Sequence, residues 1–414
     1  GICHQLLAEL VRPGMFVVGS DSHTSTAGAF NTFAFGVNKT ETAVAWKTGR
    51  VWCRVPESIK VVLKGRLADG VTAKDLALWI MGLLRGMNVN GQFVEYHGEG
   101  VATLSMADRM TVANISSEMG VVGAVFPPDD VLADYYGQPA VRGVWADNEA
   151  VYARYVEVDL SSVFPVAYDA GRDRIFGVNE LGALEVQQGV VGGCASGRME
   201  DLRQGAMVLD GEHLASGFQL YVVPASREIY FEALEEGLID KITRAGAIVL
   251  GSGCGPCVGI SHVAAAGNSR MISTMNTRFA MDVPGDGIGR IVASPLTVAM
   301  TALRGRLSTM VNFEGARYPR RERMVEHSRL EEYDYRRSDG VWNYSDIDNI
   351  STEQLFAERL TYKIASHETD RIRPYLLGGL DEHFAREAQP GDIVVVGENF
   401  GCGRLTKHGV TGLV

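Results

Sequence analysis

Long apolar runs are missing from this 414-residue chain. None approaches the roughly 18–20 residues that a membrane helix requires, so no membrane partner is expected and the sequence predicts a soluble protein. Cysteine is scarce: Cys3, Cys53, Cys194, Cys254, Cys257 and Cys402 are too few and too scattered for a secreted disulfide framework. A reducing cytoplasm or organelle matrix is the expected setting. Positive charge is also short. The 39 Lys and Arg against 50 Asp and Glu give a formal net charge of −11, which argues against a nucleic-acid surface. The most basic run, Arg317-Tyr-Pro-Arg-Arg-Glu-Arg323, carries an acid inside it and predicts a solvated loop. There is no internal repeat, no low-complexity tract and no signal peptide. The chain begins at Gly1 rather than Met, and a transit peptide before it would move the expected location from cytoplasm to mitochondrial matrix.

What is present is an ordinary globular composition, 46% apolar and 21% charged, at a length that predicts two to four domains. Glycine is abundant, at 48 residues, and separates short apolar runs. Met15–Ser20, Ile59–Leu63, Ala247–Gly251 and Gly391–Gly397 each have the pattern of a buried strand feeding a loop. Between them, Thr72–Leu84 opens with a capping residue and carries an apolar face at helical spacing. Alternating strands and helices imply an α/β class, in which strand-end loops converge on ligand sites. Composition shifts at about 310–360, where Arg317–Tyr344 is charged, Tyr-rich and poor in aliphatics. The expected division is an α/β domain over 1–165, a second over 166–309, a linker over 310–360 and the start of a further α/β unit over 361–414.

Three constellations could carry chemistry. Gly1-Ile-Cys-His-Gln5 and Gly19-Ser-Asp-Ser-His-Thr24 supply His4, Asp21, Ser22 and His23, the last three directly after a strand. His beside Asp suits proton transfer, and the same residues also suit a turn in which Asp21 and Ser22 cap a following helix. In Asn114-Ile-Ser-Ser-Glu118 the i, i+4 spacing puts Asn114 and Glu118 on one helix face, able to hold a water or simply solvated. Finally, Cys194 follows an apolar stretch in Gly192-Gly-Cys-Ala-Ser-Gly197, and Cys254 and Cys257 lie in Gly251-Ser-Gly-Cys-Gly-Pro-Cys-Val-Gly259. A zinc ribbon would want a second C-x-x-C at about 15–20 residues, and there is none. A thioredoxin-like motif would not need Cys194. By spacing, a four-iron cluster with one iron left open, a zinc site and unconnected thiols all remain.

The combination resembles the aconitase superfamily of iron–sulfur hydro-lyases, especially its isopropylmalate dehydratase and homoaconitase types. Gly1-Ile-Cys-His-Gln5, Gly19-Ser-Asp-Ser-His-Thr24, Val94-Glu-Tyr-His-Gly98, Asn114–Glu118, Gly193-Cys194 and Cys254-Gly-Pro-Cys257 occur in the family's order. Gly391-Asp-Ile-Val-Val-Val-Gly-Glu-Asn-Phe-Gly-Cys-Gly403 is similar to the family's swivel domain, here on the same chain. The resemblance implies an aconitase-like multi-domain core of α/β/α units with a connected swivel domain, incomplete at both ends. It implies that Cys194, Cys254 and Cys257 ligate a [4Fe-4S] cluster whose fourth iron has no cysteine. His4, Asp21, Ser22 and His23 would handle protons and water, Asn114 would orient cluster or substrate, and Glu118 would touch the hydroxyl at the open iron. The reaction would be reversible removal and re-addition of water on a 2-hydroxy di- or tricarboxylate. The partners would be that small molecule and a further subunit completing the swivel domain.

The sequence departs from the family in two places. The swivel motif should continue with two serines and an arginine, the first serine taking the carbon-bound proton; here Arg404-Leu-Thr-Lys-His408 follows Gly403. The family's Asn-Arg-Asn-Phe stretch is Asn276-Thr-Arg-Phe279, with Asp282 at about the place of a second arginine. Arg278 and Arg404 are therefore the candidate carboxylate anchors, since a guanidinium fork suits carboxylates. Three readings follow: a dehydratase of altered substrate preference, a cluster-binding paralogue without hydratase activity, and a module whose cysteines hold zinc or nothing.

Overall fold

The computed structural model describes residues 1–254 except 86, 171 and 183, then 257, 269–276, 289–311, 313 and 317–319. Further on it describes 340–347, 350–356, 360, 364, 367–381, 383–389, 391–397, 400, 401 and 413. Arg278 and Arg404 lie outside the described residues.

The chain opens with α1 (Cys3–Leu10), β1 (Phe16–Gly19), β2 (Phe33–Gly36), α2 (Lys39–Thr48), β3 (Ser58–Lys64), α3 (Ala73–Arg85), β4 (Phe93–His97), α4 (Met106–Met119), β5 (Gly123–Val125), α5 (Asp130–Tyr135) and β6 (Arg154–Asp159). β1 and β2 pair in parallel, and a separate parallel sheet runs in the order β5-β4-β3-β6. Along β3 burial alternates, because Ile59, Val61 and Leu63 turn to the helical side while Ser58, Lys60 and Val62 turn to the other. The helix expected over Thr72–Leu84 is α3. The Thr72 hydroxyl accepts the Lys74 and Asp75 amides while the Asp75 carboxylate takes the Thr72 amide, so both ends of the cap are satisfied.

The second set is β7 (Val166–Asp169), β8 (Arg174–Gly177), β9 (Gln188–Gly192), α6 (Met199–Leu209), β10 (Gln219–Val223), α7 (Arg227–Glu235), α8 (Leu238–Arg244), β11 (Ile248–Val249), β12 (Met271–Ser273), β13 (Arg290–Val292) and α9 (Pro295–Arg304). Among the described residues its sheet runs β11-β10-β9-β12-β13-β7-β8, parallel from β11 to β13 and antiparallel beyond. The chain goes outward from β9 through β10 to β11, then returns to the other side of β9 for β12 and β13. Such a reversal opens a crevice at the carboxyl ends of the strands beside it.

The last set, β14 (Val341–Tyr344), α10 (Thr352–Leu355), α11 (Thr369–Ile372), α12 (Phe384–Glu387) and β15 (Ile393–Val396), has its own core around Trp342, Tyr344, Phe356 and Phe384. β14 pairs in parallel with β15. Trp342 Nε1 donates to Asp392 and the Tyr344 hydroxyl to Asp381, both at 2.9 Å, which satisfies the two polar tips that this core buries.

The basic run at 317–323 departs from a solvated loop at Tyr318. Its side chain is 7% exposed and edges onto Trp79, its hydroxyl donates to the Trp79 carbonyl at 2.8 Å, and its amide donates to Glu180 at 2.8 Å. Gly82 on α3 makes the approach possible, since a Cβ there would overlap the Tyr318 hydroxyl. Tyr318→Ala should cost about 3–5 kcal/mol and Tyr318→Phe about 0.5–1.5 kcal/mol, read as shifts in urea midpoint. Equal losses for the two variants would disprove an anchor that works mainly through ring burial.

Candidate functional site

Helix α1 bridges the first two units. Ile2 is buried in the second core, held by its amide to the Ala225 carbonyl at the end of β10, whereas Ala8 and Val11 sit in the first. His4 is thereby fixed at the junction, where its Nε2 meets Asp21 Oδ1 at 2.9 Å. Asp21 follows β1 and caps the 3-10 helix Ser22–Phe30 by accepting the His23 amide at 2.8 Å. The capping and proton-handling readings are thus both true of one carboxylate. His23 Nε2 lies 2.9 Å from Glu118 Oε1 on α4, and the Ser22 hydroxyl lies 3.4 Å from His23 Nδ1. Asn114 and Glu118 do share a face, and it is not solvated: both are buried where α4 packs on the 3-10 helix.

Electrostatics differ across this array. Burial alone would depress His4, but the hydrogen bond and charge of Asp21, aided by Cys3, raise its pKa to about 9. Burial alone would raise Asp21; the hydrogen bonds from His23 and His4 outweigh it and hold the carboxyl well below the usual range. Both shifts favour imidazolium beside carboxylate at neutral pH, with the Nε2 N–H donated to Asp21.

The cysteines come from strand ends. Cys194 follows β9, whose last residue Gly192 has φ +141° and stands where a Cβ would strike the Val223 carbonyl. Cys254 follows β11, and Cys257 packs among Val190, Met271 and Met275, its thiol donating to the Asn276 carbonyl at 2.9 Å. Burial pushes Cys194 up to about 12, and it raises Cys254 and, more strongly, Cys257. Smaller contributions come from Cys254 and Asp21 at Cys194, from Asp21 and Cys3 at Cys254, and from Cys194, Cys254 and Glu118 at Cys257. Hydrogen bonds bring His4, Asp21, Ser22, His23 and Glu118 together, and Asn114 joins the Cys257 side through Asn276. Among the described residues, His4, Asp21 and His23 alone bring three ligand atoms within 4.8 Å of one another.

Sequence reasoning overlooked the frame beneath the site. Lys74, 1% exposed, donates Nζ to Asn276 Oδ1 at 2.7 Å; Asn276 Nδ2 donates to Asn114 Oδ1, Asn114 Nδ2 donates to Thr26, and Thr26 donates to the His23 carbonyl. Arg198, 5% exposed, donates to the Cys194 carbonyl at 2.8 Å and to Thr111 at 3.1 Å. Burial lowers Lys74 to about 8 against the charges of Cys194 and Asp201, its two strongest charge partners. A lysine in the first turn of a helix that is apolar from Leu76 to Leu84 was the signal available in the sequence.

The donor set and this frame suit an iron–sulfur cluster: three soft thiol ligands in strand-end loops, with buried cations to balance thiolates. A model of the aconitase family (aconitate hydratase) matches residues 1–171 and 175–305. The chain belongs to the aconitase family. It is 41% identical over 313 residues to 3-isopropylmalate dehydratase large subunit 1 of Deinococcus radiodurans, which covers 74% of this chain and 71% of that one. It is 37% identical over 314 residues to the large subunit 1 of the same-named enzyme in Methanopyrus kandleri (74% and 75%). The homoaconitase large subunit of Thermus thermophilus is 39% identical over 318 residues (76% and 76%). Aconitase family members generally bind a [4Fe-4S] cluster.

Two outcomes follow. His4 has its folded-state pKa above the unfolded value of 6.5, so its stabilisation is complete below that pH and is lost as pH rises through about 9. In cluster-free protein, wild type should lose about 1–3 kcal/mol between pH 6 and 9.5, the half-exposed Asp21 keeping this below the full linkage value. His4→Gln should flatten that profile, and a parallel profile would refute the assignment. Lys74→Met leaves Asn276 Oδ1 without its donor and should lower the urea midpoint by about 1–3 kcal/mol. No loss would show that the frame is held elsewhere.

Proposed function

We propose that this chain is an iron–sulfur hydro-lyase that reversibly removes and re-adds water on a 2-hydroxy di- or tricarboxylate resembling 3-isopropylmalate, homoaconitate or aconitate. What supports this reading most is the pairing of His4 with Asp21 and of His23 with Glu118, each at 2.9 Å, with the charges of Asp21 and Glu118 felt by the cysteines. The three cysteines would hold a [4Fe-4S] cluster, leaving one iron without a cysteine. When bound, that group supplies a Lewis acid that polarises a substrate hydroxyl and carboxylate. His4, kept cationic by Asp21 at Nε2, would give a departing hydroxyl the proton on Nδ1, which has no hydrogen-bond partner among the described residues, and would take it back on hydration. Glu118 and His23 share a proton across 2.9 Å and orient the water, with Ser22 beside His23 Nδ1. Asn114, fixed by Thr26 and Asn276, turns its amide toward Cys194. Arg278 and Arg404 would anchor substrate carboxylates, and a further subunit would complete the swivel domain. The expected setting is the cytoplasm.

A second reading, a cluster-binding chain without hydratase activity, is favoured by Arg404-Leu-Thr-Lys-His408 standing where the swivel serine base is expected. Anaerobic purification with iron and sulfide analysis, then assays with isopropylmaleate, homoaconitate and cis-aconitate, separates the two. We expect about four irons per chain, hydration of one of these acids, and loss of both in a folded Cys254→Ser variant. Iron without activity, with any partner subunit present, selects the second reading; zinc or no metal rejects both.

A further inference from the structure

Three buried cations surround the cysteines, and two have work in the protein itself. Lys74 is bound to Asn276, and Arg198 is bound to Thr111 and the Cys194 carbonyl and balanced by Asp201. Arg290 differs. It opens β13 beside Met271 of β12, on the face where Val190, Met271 and Met275 pack with Cys257. Its side chain is 6% exposed, yet among the described residues no acceptor reaches Nε or Nη1. The charge it feels is that of the Cys257 sulfur. A guanidinium buried in an apolar face with no anion beside it among the described residues is costly, so its presence points to a negative group that belongs there.

We infer that Arg290 is the counter-charge of the cysteine-held cluster, a positioning residue that stabilises negative charge next to Cys257 and so raises the cluster's reduction potential. The inference rests on the cluster reading above. Three thiolates around a [4Fe-4S]2+ core carry a net charge of −1, and one-electron reduction makes it −2. A fixed cation in a low-dielectric face favours the more negative form. Lys74 and Arg198 act in the same direction, but each is already partnered, so Arg290 has the most uncommitted charge to give.

The test is an electron-paramagnetic-resonance redox titration of the reconstituted holoprotein, with dithionite as electron donor and wild type, Arg290→Met and Arg290→Lys compared. Methionine suits the apolar face beside Met271. For Arg290→Met we expect the reduced-to-oxidised ratio at a fixed ambient potential to fall about tenfold, a shift of about 59 mV for one electron. Arg290→Lys should recover most of it. The cluster-free Arg290→Met protein should be as stable as wild type or more so, because an unpartnered buried charge has been removed. An unmoved potential in a cluster-loaded variant overturns the inference, and a raised KM with that unmoved potential assigns Arg290 to a substrate carboxylate instead. If Arg290→Met fails to load, Arg290→Lys decides: a potential within threefold of wild type in that ratio supports the counter-charge, and a larger departure overturns it. Absence of a cluster from wild type itself would instead reject the functional reading on which the inference rests.

Discussion

One buried amine holds the junction together. Lys74 comes from the first turn of α3 and reaches Asn276, 202 residues away at the end of β12. That single hydrogen bond continues through Asn114 and Thr26 to the backbone of His23, so the cysteine side and the proton-transfer side share one chain of contacts. The energetics are finely set. Burying an ammonium costs several kcal/mol, and a charge-assisted hydrogen bond returns only about 1.5–3. The remainder must come from negative charge nearby, and the nearest sources are Cys194 and Asp201. While the thiols are protonated, Lys74 keeps Asn276 and Arg198 keeps Thr111 and the charge of Asp201, whereas no acceptor among the described residues reaches Nε or Nη1 of Arg290. In the proposed cluster-bound state, thiolates would add negative charge beside all three cations and so couple loading to the stability of the junction.

The same economy governs Asp21. A carboxylate that only capped the 3-10 helix would be worth about 1 kcal/mol. Here its one oxygen also receives His4 from a helix anchored in the neighbouring core, so the turn cannot shift without moving the imidazolium. Helix α1 begins in one core and ends in the other. Proton position is therefore tied to the relative placement of the two units, which is what a reaction that moves a proton between fixed atoms requires.

Much of this was legible in the sequence, because its signals are local. The apolar runs before Ser20, after Ser58 and before Gly251 are strands, Thr72 caps α3, and the loops after β1, β9 and β11 carry the residues expected to do chemistry. What was not legible depends on distant partners. Nothing near Lys74 reveals that it is buried against Asn276, and Arg290 opens a strand with no local sign that its guanidinium is enclosed. Asn114 and Glu118 were equally compatible with a wet helix face, and only packing of α4 on the 3-10 helix removed the water. Tyr318 sits in a run whose charge predicts solvent, because one aromatic ring carries more burial energy than its charged neighbours can oppose by staying wet.

The position of the site follows from topology more than from any single motif. β9 is the first strand of the parallel block and lies between β10 and β12, so the chain leaves it in both directions. Loops after β9 and β12 diverge from that point, carrying Cys194 and Asn276, and the loop after β10 clasps Ile2 and thereby His4. A crevice of this kind exists in any sheet with such an order; what this sequence adds is which side chains line it. Soft ligands sit on the strand-end loops, cations lie beneath them, and the carboxylates and imidazoles come from the unit across the junction. Under the proposed function, the candidate metal ligands would thus come from one unit and the groups that exchange protons from the other. The charge separation of His4 and Asp21 is set within the first unit, where Asp21, aided by Cys3, outweighs the burial that would otherwise depress His4.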